Sequence, residues 1–117
     1  MLGTFTEGGR PPAEGGMPSG LCELGWLALD LGSGDRFLEA LADAPPSLWV
    51  DAAGAIARAE PVRAAEILDR IGAKPEAAYA RLRSGEPAEV ERALDFYRSV
   101  GAARYAHEAE ELLAQTA

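Results

Sequence analysis

The sequence predicts an all-α domain of about seven helices, and three observations carry that prediction. Apolar residues recur three and four positions apart from residue 21 onward, the spacing of one helix face. No stretch after residue 50 alternates apolar and polar as a half-buried strand does. Glycine and proline punctuate the chain at helix-length intervals, where helices stop and start.

The elements follow in order. Residues 1–20, with "GGRPPAEGGMPSG", hold too much Gly and Pro and too little apolar surface for a helix or sheet, so they read as a disordered tail or linker. Residues 21–117 read as the helical domain. Leu21, Leu24, Ala28 and Leu31 form one stripe and Cys22, Trp26 and Leu29 an adjacent one, which predicts a first helix buried over most of its circumference. Gly32 stops it. Ser33 or Asp35 caps a second helix, whose Phe37, Leu38 and Leu41 face the core, and Pro45-Pro46 breaks it. Ser47 caps a third, with Trp49, Ala52, Ala53 and Ile56 on one side. Pro61 occupies the first turn of a fourth, where its missing N–H costs no helical bond. That helix carries Ala64, Ile67, Leu68 and Ile71 and ends at Gly72. Pro75 opens a fifth, with Ala78, Tyr79 and Leu82, shortened before Ser84-Gly85. Pro87 opens a sixth, with Val90, Ala93, Leu94 and Tyr97, ending at Gly101. A seventh carries Tyr105, Ala109, Leu112 and Leu113.

Composition narrows the function classes. With 117 residues, 48% hydrophobic and 26% charged, the chain is one domain at most, with little room for a cofactor cleft beside its core. Asp and Glu outnumber Lys and Arg by 19 to 11, for a net charge of −8, and the positive charges are interleaved with negative ones. A surface that binds phosphates by counterion release needs clustered Lys and Arg, so neither nucleic acid nor an anionic membrane is an expected partner. No apolar stretch approaches the roughly 20 residues of a membrane span. The N-terminus has no basic head before an apolar core, and Cys22 is the lone cysteine, which excludes an internal disulfide. Together these predict a cytoplasmic protein.

An internal repeat emerges at an offset of 29 residues. It superposes Glu60 on Glu89, Ala64 on Ala93, Ile67 on Phe96, Leu68 on Tyr97 and Ile71 on Val100. It continues with Gly72-Ala73 on Gly101-Ala102 and Ala80 on Ala109. The series Ala64, Leu68, Ile71 and its counterpart Ala93, Tyr97, Val100 resembles the second helix of a tetratricopeptide repeat, although that family repeats at about 34 residues. Two longer stretches, "PSLWVDAAGAIARAEPVRAAEILDRIGAKPEAAYARLR" and "ALDFYRSVGAARYAHEAEELLA", look like the C-terminal helical-repeat segments of large bacterial signalling proteins. In those, a class III nucleotide cyclase or transcription-regulatory domain precedes an AAA-type ATPase and a tetratricopeptide-like array. The resemblance implies a short α-solenoid of antiparallel helix pairs with a regulatory or assembly role. It carries no catalysis across, because the chain has no P-loop and no cyclase domain.

Candidate chemistry is sparse. "LDLGSGDRFLEALA" imitates the glycine loop of a methyltransferase, in which Asp30, Gly32 and Gly34 would hold S-adenosylmethionine. "LWVDAAGAIARA" imitates a second strand, ending in Asp51, which would bind the ribose. Arg36 fills the third glycine position, and the residues after Asp51 read as helices rather than further strands. Gly32 and Gly34 are therefore expected to punctuate helices. A degenerate S-adenosylmethionine-binding or small-molecule-sensing domain built on the Asp30–Gly34 loop is the competing expectation. His107, beside Glu108, Glu110 and Glu111, reads as a solvated acidic helix face rather than a metal site. Cys22, on an apolar helix with Glu23 as its nearest charge, reads as a buried, inert thiol. Ser33, Ser47, Ser84 and Ser99 fall at helix ends and read as caps. No catalytic, cofactor or metal site is expected.

The aromatic residues remain. Trp49, Leu68, Tyr97 and Val100 are assigned to packing between helices. Phe96 and Tyr97 are adjacent and are expected to face different ways. Tyr79, Phe96 and Tyr105 are the candidate interaction residues, since exposed aromatics dominate many interfaces. The expected function is protein–protein interaction, with acidic residues favouring basic partners. Repeat arrays expose apolar end faces unless capped, which adds the expectation of a homodimer.

Overall fold

A computed structural model describes residues 17–116, with side chains described from 20 to 115. The described residues form seven α-helices and no strand: α1 Met17–Asp30, α2 Gly34–Leu41, α3 Leu48–Ala57, α4 Pro61–Ile71, α5 Lys74–Ser84, α6 Pro87–Ser99 and α7 Ala103–Thr116. None is long and apolar enough to cross a membrane. The tail expected over residues 1–20 lies outside the described residues as far as residue 16. The first helix begins at Met17, earlier than Leu21, with Pro18 in its first turn, where proline lacks no helical bond. The fifth helix ends at Ser84, before Gly85, and at 11 residues it is as long as the fourth and shorter than the sixth and seventh, of 13 and 14.

Most helices pack on their neighbours in sequence, α3 on α4, α4 on α5, α5 on α6 and α6 on α7, while α1 packs chiefly on α3. The row measures 51 × 31 × 23 Å. Two apolar clusters fill it. One joins Cys22 and Trp26 of α1 to Ile56, Ile67, Leu68, Ala77 and Ala80. The other joins Ala78 and Leu82 to Val90, Ala93, Leu94, Tyr97 and Ala109. Helix α5 feeds both, and Tyr79 packs against each. That position explains its alanines, since a helix between two others needs short side chains on both faces. Ala77, Ala78 and Ala80 are all at most 2% exposed. Close approach recurs between α1 and α3, where a Cβ on Gly25 would stand 3.3 Å from the Ala53 carbonyl oxygen.

The offset of 29 residues has a backbone counterpart. At the end of α4 the Ala73 amide donates to the Leu68 carbonyl at 2.9 Å, and Gly72 donates to Asp69 at 3.0 Å. At the end of α6 the Ala102 amide donates to Tyr97 at 2.9 Å, and Gly101 to Arg98 at 3.3 Å. This is the double closure of a Schellman motif, with Gly72 and Gly101 in the left-handed region that favours glycine.

Several expectations for α1 and α2 require correction. Cys22 and Trp26 are buried, but Leu24 and Leu27 are 55 and 54% exposed, and Leu31 in the turn just after the helix is 69% exposed, so α1 buries one face rather than most of its circumference. Helical periodicity marks both stripes as apolar, yet only a neighbouring element can cover them, and among the described residues α1 ends the row. Ser33 precedes α2 without capping it through its side chain, and Asp35 lies within the helix. Leu41 is buried while Phe37 and Leu38 are half-buried. Ser47 does cap α3, its hydroxyl oxygen accepting from the Val50 amide at 3.1 Å.

Candidate functional site

Five aromatic side chains meet at one face of the row. Trp26 comes from α1, Tyr79 from α5, Phe96 and Tyr97 from α6, and Tyr105 from the first turn of α7. They surround a cavity of about 610 Å³, which Glu23, Pro75, Glu76, Val100 and Ala102 complete. The rings form a continuous chain. Trp26 meets Tyr79 edge to face with centroids 5.4 Å apart, and Tyr79 meets Tyr105 in the same manner at 6.4 Å. Tyr105 stacks on Tyr97 at 5.1 Å, and Tyr97 meets Phe96 at 5.8 Å. Such pairs contribute about 0.5–1.5 kcal/mol each beyond the area they bury, which holds the lining in place.

The candidate interaction residues Tyr79, Phe96 and Tyr105 therefore lie together. Tyr105 is 40% exposed; Tyr79 and Phe96 are half-buried. One expectation fails here, the packing of Val100 between helices. Phe96 and Tyr97 both line the cavity, but Tyr97 is buried in the second apolar cluster while Phe96 is half-buried against it. Consecutive residues on a helix differ by about 100°, and a groove between two helices is wide enough to receive both. Val100 is 58% exposed and lines the groove, unlike its repeat partner Ile71, which packs against the core.

Trp26 is held by a residue that the sequence reading passed over. The Arg83 guanidinium lies 4.6 Å from the Trp26 ring centroid and 5.7 Å from that of Tyr79. It donates to the Asp30 carboxylate at 2.5 Å and to the Tyr79 hydroxyl at 3.1 Å. The hydrogen bond to Asp30 is the largest of the effects that hold this guanidinium in its charged form. The spacing of Tyr79 and Arg83 by four residues was the available signal.

The groove is acidic as well as aromatic. Glu23 and Glu76 line it, and no Lys or Arg does. Burial, reinforced by the charges of Glu76 and Glu23, pushes the Cys22 thiol up to about 11. Burial, with smaller effects from Tyr105, Tyr79 and Glu108, pushes the Tyr97 phenol up to about 12. Both groups are neutral at physiological pH.

The remaining candidates serve local structure. The Asp30–Gly34 segment joins two helices, and no strand precedes the glycines; Asp30 is occupied by Arg83. A Cβ on Gly34 would stand 2.7 Å from the Ala57 carbonyl oxygen, so this glycine permits contact with the end of α3. Asp51 lies in the first turn of α3. His107 Nε2 sits 3.3 Å from Glu111 on the exposed side of α7, and Glu110 pairs with Arg98. Among the described residues, no three His, Cys, Asp or Glu side chains are grouped to hold a metal. Ser84 and Ser99 each donate to the carbonyl three residues back, Arg81 and Phe96 respectively, at 2.6 Å. No protein-family model, characterised protein or solved structure matches this chain.

Proposed function

We propose that the chain is a non-catalytic protein-interaction module that receives a segment of a partner in the aromatic groove. The convergence of five aromatic side chains from α1, α5, α6 and α7 on one open cavity carries this reading. Aromatic residues anchor interfaces because they bury large areas at small cost in side-chain entropy. The finer architecture belongs to the same reading: a short tetratricopeptide-like array, related to the C-terminal arms of bacterial cyclase and ATPase signalling proteins. Its support is the helix endings repeated at Gly72 and Gly101 and the neighbour-on-neighbour packing. Self-association is the second part of the proposal, supported by the exposed leucines of α1.

Peptide selection tests the groove. A phage-displayed peptide library panned on the full chain should yield binders that lose at least about tenfold in affinity for Tyr105→Ala, about what one interface anchor contributes. Binders indifferent to Tyr105→Ala and Phe96→Ala, or no binders at all, would sink the reading.

A further inference from the structure

We infer that the groove seats an arginine side chain presented by a basic segment of a protein partner, an inference that rests on the interaction reading above. Three features of the lining select that occupant. The first is the ring chain itself. Each aromatic face carries partial negative charge and attracts a cation placed over it. A planar guanidinium also stacks on such faces, which a compact ammonium does not do.

The second feature is charge. Glu23 and Glu76 enter the lining unaccompanied by any Lys or Arg, so the cavity holds two carboxylates and no cation of its own. Neither carboxylate has an ion-pair partner within 4 Å among the described residues. A guanidinium offers forked donors that match a carboxylate. The third feature is shape. Val100, Ala102 and Pro75 add apolar surface for the three-methylene stem of an arginine, whose charged head can then reach the rim.

The molecule already contains one example of the contact. Arg83 places its guanidinium over the rings of Trp26 and Tyr79, with a carboxylate, Asp30, completing its hydrogen bonding. The groove shares the Trp26 and Tyr79 rings with Arg83 and adds Phe96, Tyr97 and Tyr105 with the carboxylates of Glu23 and Glu76, without a second arginine. The net charge of −8 favours a basic segment and speeds its approach at low salt.

The test uses three small probes on the full chain: N-acetyl-arginine amide, its neutral citrulline counterpart and N-acetyl-leucine amide. Aromatic and indole resonances of Trp26, Tyr79 and Tyr105 report binding. The arginine probe should shift them along a saturable curve, at least about fivefold tighter than citrulline, in the range expected of a cation on aromatic rings. Its affinity should fall with added salt and fall again in Glu23→Gln with Glu76→Gln. These substitutions keep side-chain shape, and an unchanged melting temperature would confirm that the fold is intact. Citrulline or leucine binding as tightly as arginine would overturn the cation seat while leaving the groove as a binding face. If no probe moves the groove resonances, the cation seat is overturned, and the interaction reading is decided separately by the peptide selection.

Discussion

Arg81 is the one buried charged side chain among the described residues, and its surroundings explain why it can be there. Its guanidinium reaches Asp69 of α4 and, at 3.1 Å, Glu89 of α6, tying three successive helices together. At the offset of 29 residues the same pair recurs with its charges exchanged: Arg98 takes the place of Asp69, and Glu110 the place of Arg81, at 2.8 Å. Burial distinguishes the two. The Arg98 and Glu110 side chains are 59 and 48% exposed, where a salt bridge contributes little. Arg81→Ala should therefore cost about 2–4 kcal/mol, since it leaves two partly buried carboxylates without their hydrogen-bonded partner, with only the more exposed Lys74 and Arg92 near them at 3.7 Å. Arg98→Ala should cost at most about 0.5 kcal/mol. Urea denaturation of both variants would decide this, and equal losses would show that burial of the pair is not the governing difference. The hydrogen bond from Arg81 holds the Asp69 carboxyl below its ordinary value. A depressed carboxylate contributes stability above its unfolded value of about 3.9 and loses it as pH falls through the lower folded value. Asp69→Asn should thus be less stable than the parent at neutral pH, and the gap should narrow below about pH 4. A gap that held constant down to pH 2 would contradict the pairing. Cys22 makes a simpler case. With its thiol raised to about 11, only about a thousandth is thiolate at pH 8, and the side chain is 3% exposed. A disulfide reagent should label it only as fast as the protein opens, and rapid labelling of the native chain would place the thiol elsewhere.

At the scale of the element, the endings of the helices set the register of the row. Gly72 and Gly101 close α4 and α6 with the same pair of backbone bonds, and α3 closes likewise: Glu60 donates to Ala55 and Ala59 to Ile56, both at 2.9 Å. The difference is that Ala59 takes the left-handed position, at φ 61°, the lone non-glycine among the described residues with positive φ. A Cβ there costs about 1–2 kcal/mol, offset by the extra backbone freedom that glycine loses on folding. Ala59→Gly should therefore stabilise the chain by about 0.5–1 kcal/mol and raise its melting temperature by about 3–6 °C. A thermal melt that fell instead would mean that the Ala59 methyl packs more than its exposed position implies. This ending also shows what the sequence could convey. Glycine stops after α1, α4, α5 and α6 and proline starts at α4, α5 and α6 are written in residue types, so helix number and order were legible. The α3 ending was not, because alanine carries no turn signal. The aromatic groove was legible only in parts. Tyr79, Phe96 and Tyr105 were recognisable as contact residues, but Trp26 joins them through a pairing between α1 and α5, far apart in the chain, which no local periodicity encodes. The exchanged salt bridge escaped for a related reason, since a repeat sought through matching apolar residues passes over positions where the charge inverts.

At the largest scale, the governing fact is that the described helices form a row with ends. The radius of gyration is 15.5 Å, against roughly 13 Å for a compact domain of this length, as expected when each element packs mainly on adjacent ones. Interior helices such as α5 are covered on two sides; α1 is covered on the side that holds Cys22 and Trp26. Leu24 and Leu27 lie on the opposite side of α1, and Leu31 continues their line in the turn just after it, all three more than half exposed. A stripe of that kind along a helix and its closing turn is self-complementary under a two-fold axis, so a second copy can cover it with the same three residues. Covering it would remove from water the apolar surface that the end position leaves open. The full chain should therefore sediment as a dimer at micromolar concentration. Leu27→Glu should sediment as a monomer, because each copy would bring a carboxylate into the centre of the contact. Helicity should be unaffected, since Leu27 is 54% exposed and outside both apolar clusters. The aromatic groove gives the control: if association used that face instead, Tyr105→Ala would dissociate the dimer and Leu27→Glu would not. A parent chain that stays monomeric at high concentration would remove the dimer altogether and leave the groove as the binding face under test.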